Sequence, residues 1–205
     1  MLLITHEHGA RAVLLATVAA GVVAEVAATY HGRGSLREAL AVGRRGEANA
    51  DRGTKQVLVL GMVAGLFAAA LIAREAPSLR AGANTWGTFA LGVGVTAFGI
   101  ALRVWAVWSL GRFFRREVTI EAGQTVHTSG PYRFVRHPAY AGDLLIVFGF
   151  GLAWGSWVGA GVGATIALAG HLPRIRVEEA ELERGLGPEY DAYAHGRARL
   201  VPGVW

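Results

Sequence analysis

The chain of 205 residues is 53% hydrophobic and 17% charged, with a formal net charge of +5 and no cysteine. This composition excludes a disordered chain, and it argues against an ordinary soluble enzyme, in which about 25% of residues are charged. The absence of cysteine excludes a disulfide framework, a thiolate metal site and a cysteine nucleophile. Composition therefore favours an integral membrane protein.

Long apolar runs predict an all-α, polytopic membrane protein with about five transmembrane helices, because about 20 residues cross a bilayer core. In chain order the runs cover residues 12–29, 57–73, 86–110, 140–154 and 157–172. Only Gly155 and Ser156 separate the last two runs, so a C-terminal helical hairpin is predicted. A short amphipathic helix is predicted at 35–42, and Asp51 to Thr54 resembles a turn that starts the second span.

The basic residues predict the orientation of these helices. The loop 30–56 carries six Lys or Arg residues, and the segments 109–139 and 173–205 carry five each, whereas the loop 74–85 carries two. Residues 1–9 have none, so the first run is interpreted as an uncleaved helix rather than a signal peptide. The positive-inside rule then puts the N-terminus outside the cell membrane and the C-terminus in the cytoplasm. Topology explains the positive charge, so membrane lipids and not nucleic acid are the expected partners.

The chain is divided into two regions by its polar residues. Residues 1–110 are predicted to hold helices 1–3 with the basic cytoplasmic loop 30–56. Residues 111–205 are predicted to be the catalytic region, because polar residues crowd both sides of the hairpin there. The oligomeric state is not encoded in any motif, and no metal site is predicted.

The first polar cluster precedes the hairpin and reads Arg-His-Pro-Ala-Tyr-Ala-Gly over residues 136–142. Pro138 is suited to the first position of a helix, which puts His137 at or beside the N-cap. Unpaired backbone N–H groups there favour a carboxylate or a polar cofactor edge. Taken alone, His137 is explained as well by a cap at the membrane interface. Tyr132 and Tyr140 alone are also explained as interfacial aromatic residues.

The second polar cluster follows the hairpin, from Arg174 to Leu182. Arg174 and Glu178 are four residues apart and share a helix face. Such a charge run is usually a solvated helix with intrahelical ion pairs. Here it continues a membrane helix, and the short hairpin turn returns it to the level of His137. We therefore expect both clusters to meet at the membrane surface.

Together the two clusters resemble the isoprenylcysteine carboxyl methyltransferase family. The pattern is R-H-P-x-Y-x-G at 136–142, then E-E-x-x-L at 178–182 and G-x-x-Y at 187–190, and the resemblance covers about 110–202. Related phospholipid N-methyltransferases share much of this pattern. Membrane sterol reductases carry a similar R-H-P-x-Y element but use a nicotinamide cofactor.

The resemblance implies a cytoplasmic pocket for S-adenosylmethionine, the methyl donor, with S-adenosylhomocysteine as product. No G-x-G-x-x-G fingerprint follows a strand, which agrees with a fold other than Rossmann. The implied cofactor-binding residues are Tyr132, Arg136, His137, Pro138, Tyr140, Gly142, Glu178 and Glu179. The implied catalytic residues are Arg174, Glu178 and His137, with Arg174 facing the methyl acceptor.

The expected acceptor is a lipidic acid that is O-methylated, such as an isoprenylated cysteine. A carboxylate needs a cation to hold it, for which Arg174 is the first candidate and Arg176 the second. Arg103, within the third span, is expected to line the acceptor route or to pair with Glu25 or Asp143. The alternatives are a lipid amine N-methyltransferase, an NADPH-dependent isoprenoid or sterol reductase, and a membrane scaffold without catalysis.

Overall fold

The computed structural model describes residues 8–31, 53–76, 85–111 and 125–205. Six α-helices and one 3-10 helix form from these residues, and no named strand occurs among them. The α-helices are α1 (His8–His31), α2 (Thr54–Glu75), α3 (Thr85–Leu110), α4 (Pro138–Ala153), α5 (Trp157–Leu186) and α6 (Pro188–His195), and the 3-10 helix is Gly130–Arg133. The predicted all-α class is confirmed for these residues. The amphipathic helix predicted at 35–42 lies outside them.

Two of these helices are long and apolar enough to cross a membrane by length and composition. They are α2 and the part of α3 that begins at Trp86, whereas α4 and residues 12–21 of α1 are shorter apolar helices. The outer faces of α2 and α3 carry large apolar side chains, including Leu60, Phe67 and Phe98, each more than 60% exposed. Such faces suit a lipid surrounding. These helices are consistent with a helical membrane protein, and the count of five spans stays a prediction.

The predicted C-terminal hairpin is formed by α4 and α5. Gly155 has a φ of +82°, a left-handed conformation that favours glycine, in the turn between the two helices. Ser156 then caps α5, because its Oγ accepts a hydrogen bond from the backbone N–H of Gly159 at 2.9 Å. Helix α5 runs 30 residues and includes Pro173. The apolar run 157–172 and the polar segment after it are therefore one continuous helix.

Small residues set the spacing between the helices. Helix α3 packs mainly on α4, α2 packs mainly on α5, and α1 covers another side of α3. A Cβ atom added to Gly65 of α2 would lie 2.5 Å from the carbonyl oxygen of Gly163 in α5. One added to Gly142 of α4 would lie 2.7 Å from the carbonyl oxygen of Gly99 in α3. Such close approach is typical of helices that pack within a membrane, and it fixes α4 and α5 against their neighbours.

The end of the chain returns to the segment that precedes α4. Val135 and Ala198 form an isolated parallel bridge. The backbone N–H of Arg136 donates to the carbonyl of Ala198, and that of His137 donates to the carbonyl of Arg199, both at 2.9 Å. The chain terminus thus lies directly beside the start of the hairpin.

Candidate active site

The start of α4 holds His137 at the edge of the helical hairpin. His137 is the N-cap residue and Pro138 the first residue of α4, as the sequence predicts. The His137 side chain is 3% exposed. It stacks on the ring of Tyr140, with centroids 5.5 Å apart and an interplanar angle of 17°. Proline at the first helical position and the aromatic stack together fix the orientation of the imidazole.

A polar stripe on α5 faces this start of α4. His171, Arg174 and Glu178 follow one another at intervals of three and four residues, which puts them on one helix face. The antiparallel register of the hairpin pairs this stripe with α4. His171 meets Asp143, and Glu178 meets Tyr140. The sequence-based expectation that the two polar clusters meet is therefore confirmed.

Glu179 is the most heavily contacted carboxylate of the cluster. Its Oε1 lies 2.8 Å from Nη1 of Arg136 and 3.2 Å from Nε2 of His137, and its Oε2 accepts from Nε of Arg199 at 2.8 Å. Burial alone would raise the pKa of Glu179. The hydrogen bonds from His137 and Arg199 and the charge of Arg136 outweigh burial and hold this pKa below its usual value. Glu179 is thus a stable carboxylate at neutral pH, which organises the donors around it.

Glu178 and Arg174 meet at the hydroxyl of Tyr140. The hydroxyl donates to Oε2 of Glu178 at 2.7 Å and accepts from Nε of Arg174 at 3.4 Å. Arg174 is 4% exposed, whereas the Glu178 side chain is 32% exposed. The carboxylate of Glu178 is therefore the more accessible group, and the guanidinium of Arg174 lies deeper in the hairpin.

One turn deeper along α4, Asp143 joins three helices. Its Oδ2 accepts from Nη1 of Arg103 in α3 at 2.6 Å and lies 3.3 Å from Nε2 of His171 in α5. The other ring nitrogen of His171, Nδ1, donates to the carbonyl of Ala167 at 2.8 Å. Arg103 pairs with Asp143, one of the two partners that the sequence suggested. The charge of Arg103 is thereby compensated within apolar helices, where an isolated charge is costly.

Two tyrosines of α6 and the 3-10 helix close the side of the cluster next to the chain terminus. The hydroxyl of Tyr193 donates to the carbonyl of Tyr132 at 2.8 Å, and burial raises the pKa of Tyr193 to about 12. Burial, followed by the charge of Glu178, raises the pKa of Tyr132 well above its usual range. Both phenols therefore stay protonated at physiological pH.

The structure brings most of the predicted site residues together, but not all. Arg136, His137, Tyr140, Arg174, Glu178 and Glu179 form one connected cluster. Tyr132 borders it, and Pro138 acts through the start of α4. Gly142 packs against Gly99 and the backbone of Arg103, so its small size serves helix packing. Arg176 is exposed on α5, about 200° around the helix from Arg174.

Three residues of the cluster have no role that the sequence predicts. In the sequence, Arg199 is one of the basic residues of the segment 173–205, and Tyr190 is the last residue of the motif at 187–190. His171 lies near the end of the apolar run 157–172, and no motif assigns it a role. The signal for His171 and Asp143 was their presence in apolar runs, since polar residues within a membrane span are usually paired. Nothing in the local sequence indicates the pairing of Arg199 with a residue 20 positions earlier.

Two buried polar atoms of the site have no hydrogen-bond partner within the described residues. They are Nε of Arg136 and the hydroxyl of Tyr190, and burial raises the pKa of Tyr190, so both atoms are donors. A buried donor without a partner costs about 1–3 kcal/mol. The carboxylate, ribose hydroxyls and adenine nitrogens of S-adenosylmethionine are acceptors that such donors can bind. The residues present therefore fit this cofactor.

Comparison with protein families identifies the part of the chain that holds this cluster. The sequence model described as phospholipid methyltransferase matches residues 87–189, which is half of the chain. This family is closely related to the isoprenylcysteine carboxyl methyltransferases that the motifs resemble. No curated protein matches the chain.

Proposed function

We propose that this chain, a member of the phospholipid methyltransferase family of membrane methyltransferases that use S-adenosylmethionine on lipid substrates, methylates a lipidic acid. The reaction is the O-methylation of a carboxylate at the membrane surface. The observation that carries this proposal is the buried guanidinium of Arg174, which adjoins Tyr140 and Glu178 at the polar end of the hairpin. The acceptor is the finer part of the proposal, and the family does not specify it.

The polar cluster supplies the groups that hold the methyl donor. Arg136 and Tyr190 offer buried donors to its carboxylate or ribose, and Glu178 offers an accessible carboxylate to its amino group or hydroxyls. Glu179 keeps Arg136 and His137 in place through the contacts at its Oε1. When bound, S-adenosylmethionine supplies an electrophilic methyl group. The chain's own task is then to orient donor and acceptor and to exclude water, which lowers the activation free energy by several kcal/mol.

Arg174 holds the acceptor carboxylate in this proposal. A planar guanidinium binds a carboxylate with two parallel hydrogen bonds, and burial strengthens them. A carboxylate is already a nucleophile at neutral pH, so the reaction needs no general base. This agrees with the state of Glu179, whose lowered pKa makes it a poor base. The arrangement therefore suits an acid as acceptor better than an alcohol.

The apolar helices offer a route for a lipid chain. The cluster lies where the apolar part of α5 ends and α4 begins, so an acyl or isoprenoid chain lies along α3 and α4 while the water-soluble donor enters from the other side. Arg103, on α3, is 20% exposed at its side chain and faces this route from within the apolar layer. In keeping with the distribution of basic residues, we place the site and the C-terminus in the cytoplasm and the N-terminus outside.

A second candidate function is the N-methylation of a phospholipid amine. The specific observation in its favour is Glu178, whose 32% exposed carboxylate can attract an ammonium group and take its proton. In this version Glu178 faces the acceptor, and Arg174 only holds Tyr140. The word phospholipid in the description of the matching family agrees with this class of acceptor.

The two acceptor classes are distinguished by one labelling experiment. Detergent-purified protein is incubated with S-adenosylmethionine labelled in its methyl group and with matched lipids that end in a carboxylate or an amine. A methyl ester releases labelled methanol in mild base, whereas an N-methyl group does not. We expect base-labile label in the acid lipid. Base-stable label confined to the amine lipid would replace the acid proposal with the amine alternative.

A further inference from the structure

We propose that the C-terminal segment, residues 198–205, is part of the methyltransferase site and that Arg199 is a positioning residue for Glu179. The inference rests on the proposed function, since it assigns a role in the same site. It goes further by giving the C-terminal segment, in which Arg199 lies 20 residues beyond Glu179, a part in binding the methyl donor. Arg199 acts through Glu179 and is not proposed to touch the reacting atoms.

The backbone of the segment is docked on the residues that start α4. Two hydrogen bonds hold the two segments in register. The backbone N–H of Arg136 donates to the carbonyl of Ala198, and that of His137 donates to the carbonyl of Arg199. Leu200 is 5% exposed, and its N–H donates to the carbonyl of Trp205 at 3.0 Å. The terminus therefore folds back on itself and keeps Arg199 in a fixed place.

The side chain of Arg199 is fixed from two sides. Its Nε donates to Oε2 of Glu179 at 2.8 Å, and its guanidinium lies over the ring of Trp205, 5.0 Å from the centroid. A cation over an indole ring is attracted by the ring's quadrupole. Arg136 and His137 use the other carboxylate oxygen. Arg199 thus holds the Glu179 carboxylate in the plane in which Oε1 meets those two donors.

The charge of Arg199 also affects the protonation of Glu179. The titratable and charged groups around this carboxylate come from four elements: Arg136 and His137 before α4, Glu178 on α5, Tyr190 on α6 and Arg199 in the tail. The hydrogen bond from Arg199 is among the causes that keep the pKa of Glu179 low. Loss of this cation lets that pKa rise, so Glu179 loses its charge at a higher pH than in the wild type.

The test measures the affinity for S-adenosylhomocysteine as a function of pH in full-length, detergent-purified protein. The variants are Arg199→Gln, which removes the cation, and Arg199→Lys, which keeps it. Arg197→Gln is the matched tail control, because Arg197 contacts Tyr193 and the carbonyl of Arg133 instead. We expect Arg199→Gln to weaken binding at pH 7 about tenfold, the loss of one charged hydrogen bond.

The pH profile separates positioning from mere docking of the tail. We expect the acid limb of binding to move to higher pH in Arg199→Gln, and to stay near the wild-type position in Arg199→Lys and Arg197→Gln. If the acid limb of binding in Arg199→Gln coincides with that of the wild type, the inference is overturned. If Arg199→Gln does not fold, Arg199→Lys decides. We expect its affinity at pH 7 to fall although its acid limb stays in place, because the ammonium keeps the charge but lacks the planar guanidinium, and wild-type affinity in that variant would overturn the inference. Absence of binding in the wild type at every pH would instead contradict the proposed function.

Discussion

Replacing Arg174 by alanine tests the acceptor side of the site. Arg174 is buried on α5, and its Nε reaches the Tyr140 hydroxyl. A hydrogen bond between a charged donor and its acceptor is worth about 1.5–3 kcal/mol. Loss of a bidentate pair therefore costs about 3–6 kcal/mol of transition-state binding, which lowers kcat/KM for a lipid acid about 10²- to 10⁴-fold.

The assay is transfer of labelled methyl to a lipid acid, accompanied by a separate measurement of the dissociation constant for S-adenosylhomocysteine. We expect Arg174→Ala to lower kcat/KM and to leave that dissociation constant within a few-fold of the wild type. Arg184→Ala is the matched control, because Arg184 lies on the same helix and pairs only with Glu181 among the contacts described. Normal turnover by Arg174→Ala would refute the assignment, and a loss confined to Arg176→Ala would transfer the role to Arg176.

Three further predictions concern the rest of the cluster. Glu178→Gln and His137→Ala are expected to weaken S-adenosylhomocysteine binding about tenfold or more, measured by calorimetry, and unchanged affinity in both would contradict their donor-binding role. The pKa of Glu179 is lower in the folded protein than in the unfolded chain. Its contribution to stability is therefore complete above the ordinary glutamate pKa and is lost as pH falls toward the lowered value. We expect the thermal unfolding of Glu179→Gln to lack this pH dependence. Asp143→Asn removes the carboxylate that pairs with Arg103, so we expect the free energy of unfolding to fall by about 3 kcal/mol, the lower end for a buried pair. The loss is measured as a lower Tm in detergent, and a wild-type Tm would mean that the pair contributes little.

Much of the helical framework is readable from local sequence. Pro138 after a polar residue marks the start of α4, and the Gly155–Ser156 step marks the hairpin turn, because both depend on backbone geometry that those residue types favour. The 3.6-residue period then puts Arg174 and Glu178 on one face of α5. The short hairpin turn also predicts that the start of α4 and the polar end of α5 meet, whereas the particular contact between Tyr140 and Glu178 is visible only in the structure.

Contacts that depend on the return of the chain were not predictable in this way. Arg199 reaches Glu179 because the chain after α6 returns to the segment that precedes α4. The length of α6 alone does not specify the final position of residue 199. The motif predicts a cofactor contact at Gly142, and its packing against Gly99 could not be predicted because it depends on how α3 packs on α4. Arg176 and Arg174 are equivalent as residue types, and only the rotation of α5 separates them.

The most direct test of the central claim is a calorimetric titration of S-adenosylhomocysteine into the detergent-purified protein, with NADPH as the control ligand. A methyltransferase site built around His137 and Glu179 predicts micromolar binding of S-adenosylhomocysteine, loss of that binding in His137→Ala, and no binding of NADPH. Binding of NADPH without S-adenosylhomocysteine would contradict the account and favour a reductase. If neither ligand binds to a protein that is shown to be folded, a membrane scaffold that lacks catalysis is favoured.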